Sequence, residues 1–282
     1  MSGEARLAPV RALVRRTLAH ANTPAARRLR RVPLLGPALH ALSHRVSPPG
    51  RREWVEVESG PGRGLRLLLD PRFDVRYWRG DAEPALQELL LELAPPGSVA
   101  WDVGAHVGFF TLLLARRVGD GGSVVAFEPD PWSRESLEAA VAAGGFGNVE
   151  VLAEAAWSTR TRLGFQPRAQ SEEGFHGAVA SDAATTVQTT TLDEVLAERR
   201  PPALVKIDVE GAEEHALLGA RRLLAEVRPA IVCEVHELRR GSADLPARVR
   251  ALLEEARYDV REVDPGTTPL HFLAVPCPED AA

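Results

Sequence analysis

At 282 residues the chain is long enough for one substantial core plus an extension, and its 45% hydrophobic and 26% charged content marks a globular protein. No apolar run approaches the roughly 18 residues of a membrane span, and Arg11, Arg15 and Arg16 interrupt the N-terminal apolar residues, so neither a spanning helix nor a secretory leader is expected. Charge is uneven: residues 1–52 hold eleven arginines and one glutamate, about +10, against −5 for the whole chain, which leaves about −15 on the remainder.

Residues 1–50 read as a basic helical arm, broken by Pro24, Pro33 and Pro37 and closed by Pro48-Pro49-Gly50. The arm could dock on the acidic body, a membrane surface or an acidic partner; it has no interleaved aromatics, which argues against nucleic acid. Residues 51–94 form a second segment. A β-hairpin over 53–70 turns at Gly60-Pro-Gly-Arg-Gly64, and a helix over 83–94 is opened by Pro84.

From residue 95 to 282 the pattern alternates between strand and helix. Strands are predicted at 98–103, 123–128, 149–154, 203–208, 229–235, 258–263 and 270–275. Helices are predicted at 107–118, 132–143, 192–199 with Thr191 as N-cap, 212–225 and 245–256. The polar stretch 157–184 reads as a hairpin or a mobile loop over the site. This alternation predicts an α/β fold, a mostly parallel sheet with helices on both faces, and ligands gathered beyond the carboxyl ends of the strands. Cys233 and Cys277 lack metal-ligand spacing and read as reduced thiols, so a cytoplasmic location is the default expectation.

The strand ends carry the chemistry. Asp102-Val-Gly104-Ala-His106-Val-Gly108 reads as strand, tight glycine turn and helix start, and Glu128 closes the next strand. Glycines let a backbone approach a ligand, a helix N-terminus offers free N–H groups, and an acid at the second strand end can take ribose hydroxyls. The spacing D-x-G-x-x-x-G is not the dinucleotide pattern G-x-G-x-x-G, which argues against a nicotinamide-dependent oxidoreductase. It suits S-adenosylmethionine, whose ammonium Asp102 could help hold, with Gly104, His106, Gly108 and Glu128 around the rest of the cofactor.

The fourth strand ends in Lys206-Ile-Asp208, followed by Glu210 and Glu213; the fifth ends at Glu234 and His236. Lys206 is the chain's one lysine among 34 basic residues. In a strand, Lys206 and Asp208 share a face, so the ammonium can hold Asp208 ionised or stabilise a developing oxyanion. His236 and Asp208 are the candidate proton acceptors; His176 and His271 are weaker ones. Glu210 and Glu213 also suit a helix start. Asp208 with Glu234 could share Mg²⁺, which is not expected because no third ligand is evident.

These strings resemble the FkbM family of S-adenosylmethionine-dependent methyltransferases over about 98–236, and on to Pro276 through the Phe272-Leu-Ala-Val-Pro276 ending. The carriers are Asp102-Val-Gly-Ala-His-Val-Gly108, Phe127-Glu-Pro-Asp130, Thr191-Leu-Asp-Glu-Val-Leu196, Leu204-Val-Lys-Ile-Asp-Val-Glu-Gly-Ala-Glu213, Leu218-Leu-Gly-Ala-Arg-Arg-Leu-Leu224 and Glu234-Val-His236. The resemblance implies a class I methyltransferase fold, Rossmann-like, with seven strands and the last one antiparallel. It implies methyl transfer to a hydroxyl of a sugar, polyketide or related natural product. Asp102, Gly104, Gly108 and Glu128 fall on its cofactor positions, and Lys206, Asp208, Glu210 and Glu213 on its signature string. His106 departs from the family's usual Asn. The expected partner is a small-molecule hydroxyl acceptor; an amine acceptor, or cofactor binding without turnover, are the alternatives.

Overall fold

The computed structural model describes residues 50–71, 73–167, 178–179, 183, 185–236, 244–263 and 270–278. The basic arm up to Pro49 and His176 lie outside the described residues. None of the described helices is long and apolar enough to cross a membrane.

The centre is a seven-stranded sheet. Its strands are β3 (Val99–Val103), β4 (Ser123–Phe127), β5 (Val149–Leu152), β10 (Leu204–Ile207), β11 (Ala230–Val235), β12 (Tyr258–Glu262) and β13 (Leu270–Pro276). They lie in the order β12-β13-β11-β10-β3-β4-β5, and β13 runs antiparallel to both neighbours. Seven strands with β13, the last, reversed match the sheet that the resemblance implies. Every residue of β3 and β10 is buried, so both read as continuous apolar runs rather than alternating ones.

Alternation still decides which face each side chain meets. Trp101, Val103, Val205, Ile207, Ile231 and Cys233 pack on one face, with α6 (Glu213–Leu218) and α7 (Leu245–Glu255). Ala100, Val124, Leu204 and Val232 pack on the other, with α3 (Phe109–Val118). That second face is also covered by the segment before the sheet: the hairpin β1 (Glu53–Glu56)–β2 (Arg66–Leu69), α1 (Val75–Arg79) and α2 (Pro84–Leu93). Val55, Leu67, Leu69, Trp78, Leu86 and Leu90 join the same apolar cluster. By parity, Asp102, Lys206 and Glu234 share this covered face. Register sets Lys206 beside Asp102 and Glu234 beside His271.

Helix α4 (Pro131–Gly144) starts where Asp130 accepts the Ser133 amide at 3.0 Å. Helix α5 (Leu192–Glu198) starts at Thr191 with a complete capping box to Glu194. Two expectations need correction. The helix predicted over 212–225 is broken into α6 and a π-helical turn, Leu223–Val227. A Cβ at Gly219 would meet the carbonyl of Trp157, and the Asp193 carboxylate takes the amides of Arg222 and Leu223 at 2.9 and 2.8 Å, capping the second helical piece separately from α6. Helix α1 has no counterpart in the sequence prediction; its five residues are too few for periodicity to register.

Between β5 and α5 a second sheet is inserted. It has four strands in the order β6-β9-β7-β8, from β6 (Ala155–Ala156), β7 (Arg162–Gln166), β8 (Ala178–Val179) and β9 (Thr185–Thr190). β7 lies within the stretch read as a hairpin or loop, but its antiparallel partner β9 begins beyond it and had no predicted counterpart; residues 168–177 lie outside the described set.

Candidate active site

The turn after β3 is built from backbone. Gly104 and Gly108 sit at φ 89° and 91°, in the left-handed region. A Cβ at Gly104 would run into the carbonyl of Asp208, so glycine is what lets the β3 turn close on the end of β10. His106 also has positive φ, 52°. Asn and His are among the residues that tolerate this region best, which gives the His-for-Asn departure a backbone reason. Gly108 is the N-cap of α3.

Glu128 is pinned at the end of β4. Its Oε2 accepts the His106 amide at 2.6 Å and its Oε1 accepts the Asp130 amide at 2.8 Å. Each oxygen of a carboxylate can take a second donor, so the group is oriented and keeps acceptor capacity toward a ligand. Gly104, His106 and Glu128 line one pocket with Asp208, Glu210 and Phe165, the last reaching over from β7. Asp102 and Gly108 stand behind that pocket. The Asp102 side chain is fully buried, accepts the Thr111 hydroxyl at 2.6 Å and lies 3.6 Å from the Lys206 ammonium.

On the other side of the pocket, charges from several elements converge. Lys206 is 2% exposed, and its Nζ is 3.1 Å from Asp208 Oδ2 and 5.1 Å from the centre of the Phe110 ring. Burial opposes its charge, but Asp208 and Asp102 outweigh that and hold the ammonium protonated above its usual range. Burial and the nearby Glu234 push the Asp208 carboxyl up to about 7, against the pull of Lys206 and His236.

His236 is ringed by carboxylates. Its Nδ1 lies 3.0 Å from Glu213, while its Nε2 lies 3.3 Å from Glu234, 3.5 Å from Glu210 and 3.8 Å from Asp208. Burial disfavours the imidazolium, yet hydrogen bonds from Glu213 and Glu234 and the charges of Asp208 and Glu210 raise it to about 11. An imidazole that basic carries its proton at neutral pH, so in this state it is a counter-ion and not a proton acceptor. Glu234 is desolvated too, but its bonds to His236 and His271 keep it well below the usual carboxylate range.

Glu83 and Tyr77 contribute without being among the candidates read from the sequence, which did name Glu234 and His271. Glu83, at the start of α2, and Glu234 both face His271 Nε2, at 3.4 and 3.3 Å. Burial works against the charge on His271, and these two acids raise it to about 9. The Tyr77 ring of α1 lies tilted against His106, 5.6 Å between centroids, and burial, with Asp208 and Glu83 nearby, pushes its phenol up. Glu234 was considered as a Mg²⁺ ligand, and the structure supplies the third group that the sequence did not offer: Asp208, Glu234 and His236 bring ligand atoms within 4.8 Å of one another.

Residues 102–260 match the model of the methyltransferase FkbM domain. The chain is 30% identical over 220 residues to the hexuronic acid methyltransferase AglP of Haloferax volcanii, covering 73% of this chain and 87% of that one. It is 30% identical over 187 residues to the 31-O-demethyl-FK506 methyltransferase FkbM of Streptomyces tacrolimicus, covering 55% and 72%. Among solved structures, methyltransferase FkbM from Methylobacillus flagellatus KT aligns with 16% identity and a TM-score of 0.48 over 67% of this chain and 50% of that chain. The chain belongs to the FkbM family and is a methyltransferase.

Proposed function

We propose that the protein is an S-adenosylmethionine-dependent O-methyltransferase acting on a hydroxyl of a small molecule, a sugar or natural-product moiety. The observation that carries this reading is the meeting of two walls in one pocket. The glycine turn with Glu128 forms one wall, and Asp208, its carboxyl raised to about 7, stands on the other. The two relatives named above are a hexuronic acid methyltransferase and a 31-O-demethyl-FK506 methyltransferase, which supports an oxygen acceptor on a small molecule.

The residues fit the cofactor. Glu128, oriented by two backbone amides, can accept the two ribose hydroxyls, and the close approach at Gly104 lets the backbone reach the ligand. Phe165 and Ala155 give the pocket an apolar cover. When bound, S-adenosylmethionine supplies an electrophilic methyl group on a sulfonium. A hydroxyl attacking in line must lose its proton in or before the transition state. Asp208 takes that proton, because a carboxyl near neutrality matches the operating pH better than an imidazolium already loaded. Lys206 does not line the pocket; it positions Asp208 through the 3.1 Å bond, rather than touching the acceptor oxygen itself.

The test is transfer of an isotopically labelled methyl group from S-adenosylmethionine into small-molecule extracts, read by mass spectrometry, beside calorimetry with S-adenosylhomocysteine. A product labelled on oxygen is the expected result. A product labelled on nitrogen, or tight S-adenosylhomocysteine binding with no turnover on any extract, would overturn the reading.

A further inference from the structure

His236 is placed as a ligand is placed. Its Nδ1 faces Glu213 Oε1 at 3.0 Å, and Glu213 is fully buried and also accepts the Gly211 amide at 2.9 Å. An ionised carboxylate only accepts hydrogen bonds, so the proton of a neutral ring must sit on Nδ1. That turns the Nε2 lone pair toward Glu234 Oε1, Glu210 Oε2 and Asp208 Oδ1, at 3.3, 3.5 and 3.8 Å. A lone pair among three carboxylate oxygens is repulsive. One proton there bonds well to only one of them, whereas a divalent ion satisfies all.

The supporting shell has the same logic. The second oxygen of Asp208 is taken by Lys206 at 3.1 Å, and the second oxygen of Glu234 by His271 at 3.3 Å. Each carboxylate is thus clamped by a cation on one side and turns its other oxygen to a shared centre. Clamped carboxylates and a carboxylate-bound imidazole are the usual surroundings of a metal ion. An octahedral ion with ligands at about 2.1 Å spaces neighbouring donors about 3.0 Å apart and opposite ones about 4.2 Å apart. The Nε2 separations from Glu234 and Asp208 fall between those limits.

We infer that Asp208 Oδ1, Glu234 Oε1 and His236 Nε2 bind a hard divalent cation of the Mg²⁺ or Mn²⁺ class, with Glu210 beside it. The oxygen-rich set with a single imidazole suits these ions. Because Asp208 and Glu210 also line the cofactor pocket, the cation would stand where an acceptor hydroxyl can coordinate it. This purpose rests on the O-methyltransferase reading; cation binding itself does not. Coordination would lower the pKa of that hydroxyl.

The experiment is a titration of the chelator-treated full chain with Mn²⁺ alone, following loss of the free-ion signal by electron paramagnetic resonance. Saturation at one ion per chain below about 1 mM is expected. Pulsed measurements should show ¹⁴N coupling from one imidazole in the wild-type protein, a readout that needs no variant. Glu234→Gln and His236→Gln should each weaken binding about tenfold or more. Glu128→Gln should lose S-adenosylhomocysteine and keep Mn²⁺, which separates failure of the cation site from failure of the cofactor reading. No binding, no ¹⁴N coupling, or equal affinity in folded Glu234→Gln and His236→Gln would overturn the inference.

Discussion

The two walls of the pocket are made differently. The wall at β3 and β4 is local and mostly backbone: two glycines and a left-handed His106 within five residues, then Glu128 one strand later, held by two amides. The opposite wall shows Asp208 and Glu210 to the pocket and is backed by side chains drawn from α2, β10, the start of α6, β11 and β13. Its Glu83 and His271 are far apart in sequence and 3.4 Å apart in space. Local walls are written as motifs. Assembled walls depend on register and on which segment covers which face.

The comparison can be broken most sharply at Asp208. Asp208→Asn should lower kcat by about 10²- to 10⁴-fold, the usual worth of a positioned proton acceptor, with cofactor affinity retained. A parallel loss of S-adenosylhomocysteine binding by calorimetry would mean that the two walls do not divide their labour. The opposite variant is Glu128→Gln, which should weaken S-adenosylhomocysteine by about 10- to 100-fold through loss of the charged acceptor for two hydroxyls. An unchanged Kd would remove Glu128 from the cofactor wall.

This division also explains what could be read in advance. The sheet, its order of strands and helices, and the glycine turn with Glu128 at the next strand end follow from apolar runs and glycine spacing, because each is decided within a few residues. Lys206 and Asp208 were legible as a same-face pair, and their partnership with Asp102 follows once β10 lies beside β3. Glu83 and Tyr77 were not legible. They arrive through a hairpin and two short helices that cover one face of the sheet, and nothing in the spacing of residues 77 and 83 points to 236 or 271. The proton-loaded state of His236 was equally hidden, since it reflects four acids gathered from separate positions.

A smaller effect sharpens the point about assembled walls. His271 has its pKa raised from 6.5 to about 9 by Glu234 and Glu83. The folded value exceeds the unfolded one, so the bridge's contribution is fully present below pH ~6.5 and is lost as pH rises through about 9. Allowing for partial exposure, it should amount to about 1 to 2 kcal/mol. Denaturant midpoints of wild type and His271→Gln, compared from pH 6 to 10, should converge at the alkaline end; a constant gap would deny the bridge its charge. The smallest effect belongs to a purely local device. Thr191→Ala removes the hydroxyl that accepts the Glu194 amide at 3.0 Å and should cost about 1 kcal/mol by thermal melting, with turnover unaltered.

Phe165 has a consequence of another kind. It reaches the pocket from a sheet inserted between β5 and α5, whereas the groups that handle charge sit on the seven-stranded sheet or on the segment covering it. The apolar cover of the pocket therefore comes from a different sheet than the one that carries its charges. Changes in the insert would alter that cover without touching the residues that hold the charges in place.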